Sequence, residues 1–233
     1  MKKIMVLSGK GGVGKSFVSA MLAVGLSEKK STGLLDADIT GPNLPGMLGL
    51  EGQIVASPEG KMIPLEKNDL KVMSIGFLLP KDSPVMWRGP LIGKAFNQLL
   101  NDTVWNTEFL VIDMPPGTGD IVMNALHNGV DGAVVVMTPQ KVVLEDVHRT
   151  LSMLEKFNVP LYGIVENMSY VKCPDGSMVE PFGKSRQEEF QDKNFIRLPL
   201  DPKVSDLMDS GRAFEAYAPV KASFIPFIKR IES

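Results

Sequence analysis

Residues 9–16 read Gly9-Lys10-Gly11-Gly12-Val13-Gly14-Lys15-Ser16, set between the apolar run Ile4–Leu7 and a segment whose apolar residues recur at helical spacing. A strand, a glycine-rich loop and a helix in that order are the setting in which a phosphate-binding loop works. The glycines let successive backbone N–H groups turn inward, and a helix starting near Lys15 directs the positive end of its dipole at the same point. Gly9, Lys10, Gly11, Gly12, Val13 and Gly14 are therefore expected to surround a nucleotide's phosphates. Lys15 should reach the β- and γ-phosphates, and the Ser16 hydroxyl should bind Mg²⁺. The general pattern does not require Lys10, and a second lysine this close to the phosphates is read as catalytic alongside Lys15.

The rest of the chain alternates as such a loop requires. Strand-like apolar runs recur at Ile4–Leu7, Thr32–Leu35, Leu70–Ile75, Phe109–Ile112, Ala133–Met137, Leu161–Val165 and Phe195–Leu198. Between them, Phe17–Glu28, Leu91–Leu100, Val142–Phe157 and Val220–Ile231 space apolar residues by three and four. The alternation predicts an α/β fold: a doubly wound, mainly parallel sheet with helices on both faces. With 233 residues, 44% hydrophobic and 22% charged, the chain fits one compact α/β domain over 1–233, built around the phosphate loop. Gly41–Pro64 breaks the rhythm with prolines and glycines, and its two short apolar pieces predict a small hairpin.

In a sheet of this kind, chemistry gathers just beyond the carboxyl ends of the strands. Asp113 ends the run Phe109–Ile112 and is placed to hold Mg²⁺ through its water shell. Asp36-Ala37-Asp38 ends the second run; Asp38 is the better placed to orient an attacking water, and Asp36 to hold the loop by hydrogen bonds. After Asp113, Met114-Pro115-Pro116-Gly117-Thr118-Gly119-Asp120 has the stiff and hinged character of a phosphate-sensing switch, with the Gly117 N–H offered to the γ-phosphate. A rigid turn leading into a helix near Asp120 accounts for the same residues.

Composition narrows the alternatives. A net charge of -2 without a basic stripe argues against nucleic-acid binding. No run approaches the ~20 apolar residues that span a bilayer, and the apolar stretch after Lys2-Lys3 is too short for a signal peptide. A cytoplasmic, membrane-free protein is expected. The one cysteine, Cys173, excludes an internal disulfide and fits a reducing compartment. His127 and His148 lack partners at metal or triad spacing and are read as packing or surface residues, and the fourteen methionines as core filler. Trp87-Arg88 fits a subunit seam. The terminal helix carries an apolar face of Val220, Phe224, Phe227 and Ile231 but few basic residues, which favours docking on the sheet over a membrane.

The form Lys-Gly-Gly-x-Gly-Lys-Ser resembles the deviant Walker A loop of the MinD, ParA and nitrogenase-iron-protein superfamily. Ser8–Ser16, Asp36–Gly49, Trp87-Arg88-Gly89-Pro90, Asp113–Asp120, Thr138-Pro139-Gln140 and Glu166-Asn167-Met168-Ser169-Tyr170 together resemble its Mrp/ApbC-type iron-sulfur cluster carrier ATPases. The resemblance implies an ATP-hydrolysing carrier or scaffold, a homodimer or a heterodimer with a related ATPase, that binds ATP and Mg²⁺ and passes an iron-sulfur cluster to apo-proteins. It implies that Lys10 crosses the interface to the partner's nucleotide, that Asn167 reads the adenine edge, and that Cys173 is a cluster ligand. Two residues depart from the pattern. Cys173-Pro174-Asp175-Gly176 has glycine where the family places a second cysteine, so a symmetric dimer offers two thiolates where a cluster takes four ligands. Asp175, Glu180, an external thiol or a partner subunit are left to complete the set. Phe17 replaces the usual threonine after Ser16 and removes a hydroxyl worth ~1 kcal/mol to nucleotide binding. Two other functions fit the same loop: a MinD/ParA-like positioning switch without a cluster, and a small-acid transferase.

Overall fold

The structure of the protein, a computed structural model, describes residues 1–38, 41–78 and 89–233. Along the chain run β1 (Lys2–Leu7), α1 (Lys15–Ser27), β2 (Thr32–Asp36), α2 (Leu44–Leu48), β3 (Val55–Ala56), β4 (Met62–Ile63), β5 (Leu65–Lys67) and β6 (Leu70–Ser74). Next come α3 (Gly89–Asn101), β7 (Phe109–Asp113), α4 (Asp120–His127), β8 (Gly132–Met137) and α5 (Leu144–Lys156). The chain closes with β9 (Leu161–Lys172), β10 (Met178–Val179), β11 (Phe195–Pro199), α6 (Pro202–Asp209), α7 (Ala213–Ala216) and α8 (Lys221–Glu232). Each predicted strand and helix is present, and β3 and β4 pair as the small antiparallel hairpin expected inside Gly41–Pro64.

The main sheet runs in the order β10-β9-β8-β1-β7-β2-β6-β5, with β11 also on β9. Neighbours from β11 and β9 through β8, β1, β7 and β2 to β6 are parallel, and among the described residues of this sheet the pairs β5–β6 and β9–β10 are antiparallel. Strand residues divide by parity between two cores, because successive side chains point to opposite faces. Ile4, Val6, Val111, Val134 and Val136 pack under α1, α6, α7 and α8. Met5, Leu7, Leu110, Ile112, Val135 and Met137 pack under α3, α4 and α5. With both faces covered, β1, β7 and β8 are buried along nearly their whole length, which is why they read as continuous apolar runs.

The central register places the site. β1 lies between β7 and β8, so the loop after Leu7 opens at the crevice where flanking connections depart to opposite faces. Val6 and Asp36 both pair with Asp113, which sets the ends of β1, β2 and β7 at one level.

Two elements differ from the sequence reading. β9 continues past Val165 to Lys172: beyond Glu166 it leaves β8, stays on β11 through an irregular register, and turns back at Cys173 to pair with β10. Asn167 therefore lies inside a strand and not after one. Short helices α2, α6 and α7 were not anticipated; α6 begins at the cap Asp201, whose carboxylate accepts the Lys203 N–H at 2.9 Å. The expectation for the histidines holds, and that for the methionines holds in part, since Met1 and Met178 are exposed. His127 and His148 are exposed and rest edge-on or tilted against Phe157 and Phe190. Met5, Met21, Met73, Met114 and Met137 are fully buried. Trp87-Arg88 lies outside the described residues. No helix among the described residues is long and apolar enough to cross a membrane.

The apolar face of α8 is closed against the body of the protein: Phe224, Phe227 and Ile231 are fully buried and Val220 nearly so. α8 crosses α1 at Gly25, where an added Cβ would stand 2.5 Å from Ile228 Cδ1 and 2.5 Å from the Tyr217 hydroxyl. Gly25→Ala is accordingly expected to destabilise the protein by ~1–3 kcal/mol through overpacking, read as a lowered urea midpoint. An unchanged midpoint would show that α8 yields freely at this crossing.

Candidate nucleotide site

The loop after β1 is closed on two sides and open on the third. At Gly9 an added Cβ would lie 2.3 Å from the Asp146 Cβ, so the start of the loop is packed against α5. Gly14 adopts φ +82°, and there a Cβ would lie 2.1 Å from Asn167 Nδ2, so the end of the loop is packed against β9. At Gly11 and Gly12 an added Cβ would meet nothing within 4 Å. These are the positions at which an incoming phosphate can approach the backbone. The Ser8 hydroxyl donates to the Lys10 carbonyl at 2.9 Å and stiffens the first turn.

Behind the loop, Asp113 is fully buried and three side chains of α1 converge on its carboxylate. Lys15 Nζ donates to Oδ1 at 2.8 Å, the Ser16 hydroxyl donates to Oδ2 at 2.6 Å, and Ser19 Oγ lies 2.8 Å from Oδ1. Lys15 is itself 7% exposed. Sequence reading missed Ser19, although its spacing from Lys15 and Ser16 places all three on one face of a helix. The Ser16 hydroxyl and the Asp113 carboxylate form the hard-oxygen pair that suits Mg²⁺, which keeps most of its water ligands and needs only one or two protein oxygens.

Asp36, beside Asp113 in the register, accepts hydrogen bonds from Ser74 Oγ at 3.1 Å and from the backbone N–H groups of Asp38 and Leu44 at 3.2 and 3.4 Å. It is the loop-holding member of its pair, as expected. Burial, and after it the Asp113 charge, pushes its carboxyl up to about 8. Asp38 is half-buried, two residues past the end of β2. The Gly117 N–H is donated to the Ser8 carbonyl at 2.9 Å, so the segment after β7 lies along the loop's own backbone. Lys10 is 45% exposed and folds back on its own chain, with Nζ 3.3 Å from both Asp146 Oδ2 and the Val142 carbonyl.

On the β9 side, Asn167 Nδ2 donates to the Val13 carbonyl at 3.0 Å. Next to it a cavity of about 170 Å³ is bounded by Gly14, Phe17, Met47, Met168, Pro199 and Asp201 among others. Its lining is mostly apolar. Phe17, the departure noted above, forms part of this wall. Sequence reading missed Met47, Pro199 and Asp201, because only the fold brings α2 and the end of β11 to the loop.

Cys173 is remote from this cluster, at the turn that joins β9 to β10, and partly exposed. Its N–H donates to the Ser177 carbonyl and its carbonyl accepts the Gly176 N–H. Asp175 and Glu180 do not gather around it. The Asp175 carboxylate accepts from the Ser177 hydroxyl and N–H, which hold it below the usual carboxylate range, and Glu180 binds Arg197. Among the described residues, no three His, Cys, Asp or Glu side chains are grouped as a metal site.

A family model described as NUBPL iron-transfer P-loop NTPase, of the ParA group, matches residues 1–231. A protein of Aquifex aeolicus (strain VF5) named iron-sulfur cluster carrier protein is 46% identical over 218 residues, covering 89% of this chain and 60% of its own. The chain thus spans about three fifths of that relative's length. A solved nucleotide-binding protein of Archaeoglobus fulgidus in complex with ADP superposes with a TM-score of 0.80 at 37% identity, over 92% of this chain and 88% of that one. The cell division ATPase MinD of Pyrococcus furiosus shares the fold, with a TM-score of 0.74 at 22% identity over 99% and 98% of the two chains.

The raised Asp36 carboxyl makes stability depend on pH. In the unfolded chain the group ionises near 3.8 and in the folded protein near 8, so its stabilising contribution is full below pH 4 and lost as pH rises to 8. Between these limits the unfolded chain releases the proton first. The urea midpoint is expected to fall across that window in the wild type, and Asp36→Asn should flatten the fall. An equally steep fall in the variant would contradict the assignment.

Proposed function

The chain belongs to the NUBPL iron-transfer P-loop NTPase family, and from that membership we propose that it hydrolyses ATP to carry an iron-sulfur cluster to apo-proteins in the cytoplasm. The observation that supports this most is the Asp113 carboxylate gathering Lys15, Ser16 and Ser19 behind the open backbone of Gly11 and Gly12. A triphosphate laid on those glycines meets inward N–H groups and the start of α1, and Lys15 exchanges Asp113 for the β- and γ-phosphates. Ser16 and Asp113 are the residues that would hold Mg²⁺, which when bound offsets charge on the phosphates. The base fills the cavity beside Gly14, with Asn167 at its polar edge.

Hydrolysis is in-line attack of water on the γ-phosphorus, breaking its bond to the β–γ bridging oxygen and giving ADP and phosphate. Asp38 orients the water, whose proton passes to the phosphate released. Lys10 leaves Asp146 and the Val142 carbonyl to reach the nucleotide of a second subunit, where its charge stabilises the transition state. The Gly117 N–H leaves Ser8 for the γ-phosphate, so phosphate release returns it to the loop and turns hydrolysis into movement. The whole of 1–233 acts as one P-loop unit, in a homodimer or beside a related ATPase.

The cluster is cargo, and Cys173 is its ligand on this chain. Clusters take four ligands, mostly thiolates; in a homodimer two copies supply two thiolates and external thiols the remainder, and in a heterodimer a related subunit adds a full pair to the one Cys173. Anaerobic reconstitution with iron and sulfide is expected to give charge-transfer absorption that Cys173→Ser abolishes; an identical spectrum would remove Cys173 from the ligand set. Lys10→Ala should bind Mg²⁺-ATP as the wild type does and lose about three orders of magnitude of turnover or more, as expected for a cationic finger. Retention of full turnover would refute its role across the interface.

A further inference from the structure

β9 carries Asn167 at the nucleotide loop and ends one residue before Cys173, a span of about 20 Å along an extended strand. Between them lies a buried polar chain that phosphate binding does not use. Glu166 and Ser169 are fully buried; the Ser169 hydroxyl donates to Glu166 Oε2 at 2.5 Å, and the Arg186 N–H donates to Oε1 at 2.7 Å. Arg197, from the neighbouring β11, completes it. Its Nε donates to Ser169 Oγ at 2.8 Å and lies 3.5 Å from Glu166 Oε2, and its Nη2 donates to Glu180 Oε1 at 2.6 Å. The guanidinium carbon lies 5.4 Å from the centre of the Tyr170 ring.

Both ends of this chain matter. Glu180 directly follows β10, the return strand of the turn that presents Cys173, so Arg197 fastens that hairpin to the sheet. Two residues beyond Arg197, Pro199 and then Asp201 form walls of the cavity beside Gly14. On β9, Met168 sits between the cavity residue Asn167 and Ser169 with φ +54°, a strained conformation for a residue other than glycine. The pairing of β9 with β11 slips between Arg197 and Pro199. Met168 and Pro199, at the irregular point of both strands, line the cavity a base would enter; Ser169 follows the first directly, and Arg197 lies two residues before the second.

We propose that Arg197 is a positioning residue that couples occupancy of the nucleotide cavity to the placement of the Cys173 hairpin, through Ser169 and Glu166 on one side and Glu180 on the other. This rests on the reading of the cavity as the base site and of Cys173 as the cargo ligand. A planar fork of fixed donors suits a residue that must hold two groups on different elements at once.

Because Cys173 is the chain's single cysteine, an aromatic disulfide reagent reports on it alone. The wild-type protein, saturated with Mg²⁺ and a non-hydrolysable ATP analogue, is expected to react at a rate differing by about threefold or more from the nucleotide-free protein. Arg197→Ala should bring the two rates together while analogue affinity, measured by calorimetry, stays close to wild type. Glu180→Gln, which alters only the exposed end of the chain, should narrow the difference, and Arg197→Lys should restore part of what Arg197→Ala loses. Glu180→Gln carries the test if Arg197→Ala does not fold. An undiminished difference in the variants, or equal rates in a wild type shown to be saturated, would overturn the proposal. Absence of iron uptake by the wild type would count against the carrier reading alone, since the thiol rates report on Arg197 without a cluster.

Discussion

Asp113 sits at the end of the innermost strand pair with no solvent contact, and Lys15, Ser16 and Ser19 of α1 are all turned toward it. A carboxylate so deep would cost several kcal/mol without donors, which makes the position of α1 against β7 far from arbitrary. Fixing the first turn of α1 also fixes the loop that precedes it, because Gly14 and Lys15 are consecutive. The loop is further confined by two contacts that exclude any side chain, Gly9 against Asp146 and Gly14 against Asn167. What is left open, at Gly11 and Gly12, is the surface on which a phosphate can rest. The ion pair of Lys15 and Asp113 thus joins the strand order, the helix and the binding surface in one arrangement.

The same economy explains why polar groups cluster at the carboxyl ends of the strands. Parallel strands with both faces covered leave only their ends for chemistry, and the register sets Asp36 and Asp113 level there. Two adjacent buried carboxylates repel, and the folded protein responds by favouring the protonated form of Asp36, the one that also holds the backbone of Asp38 and Leu44. In the folded chain Lys10 and the Gly117 N–H both have partners of their own, Asp146 with Val142 and Ser8. The Lys10 contacts are long and exposed, whereas the Asp113 cluster behind them is buried.

Much of this was legible in the residues. The phosphate loop, the seven main strands, the four long helices and the Gly41–Pro64 hairpin follow from apolar periodicity and glycine placement, signals that act over neighbouring residues. The extension of β9 was not legible, because Asn167, Met168 and Ser169 are the polar or strained residues that usually mark a turn. Here their side chains serve the loop and a buried Glu166, so the strand persists without an apolar pattern. Ser19 carried a helical-spacing signal that went unused. Met47, Pro199 and Asp201 carried none, since only α2 and β11 folding onto the loop bring them to the cavity. Asp175 and Glu180 were near Cys173 in sequence, yet hydrogen bonds to Ser177 and Arg197 turn each to a structural task.

The account stands on a triphosphate being gripped by the loop in front of Asp113. Isothermal titration of the purified protein with ATP, with and without Mg²⁺, addresses this directly. One ATP per chain, bound more tightly when Mg²⁺ is present, is the predicted result. No uptake at millimolar ATP with Mg²⁺ would contradict it.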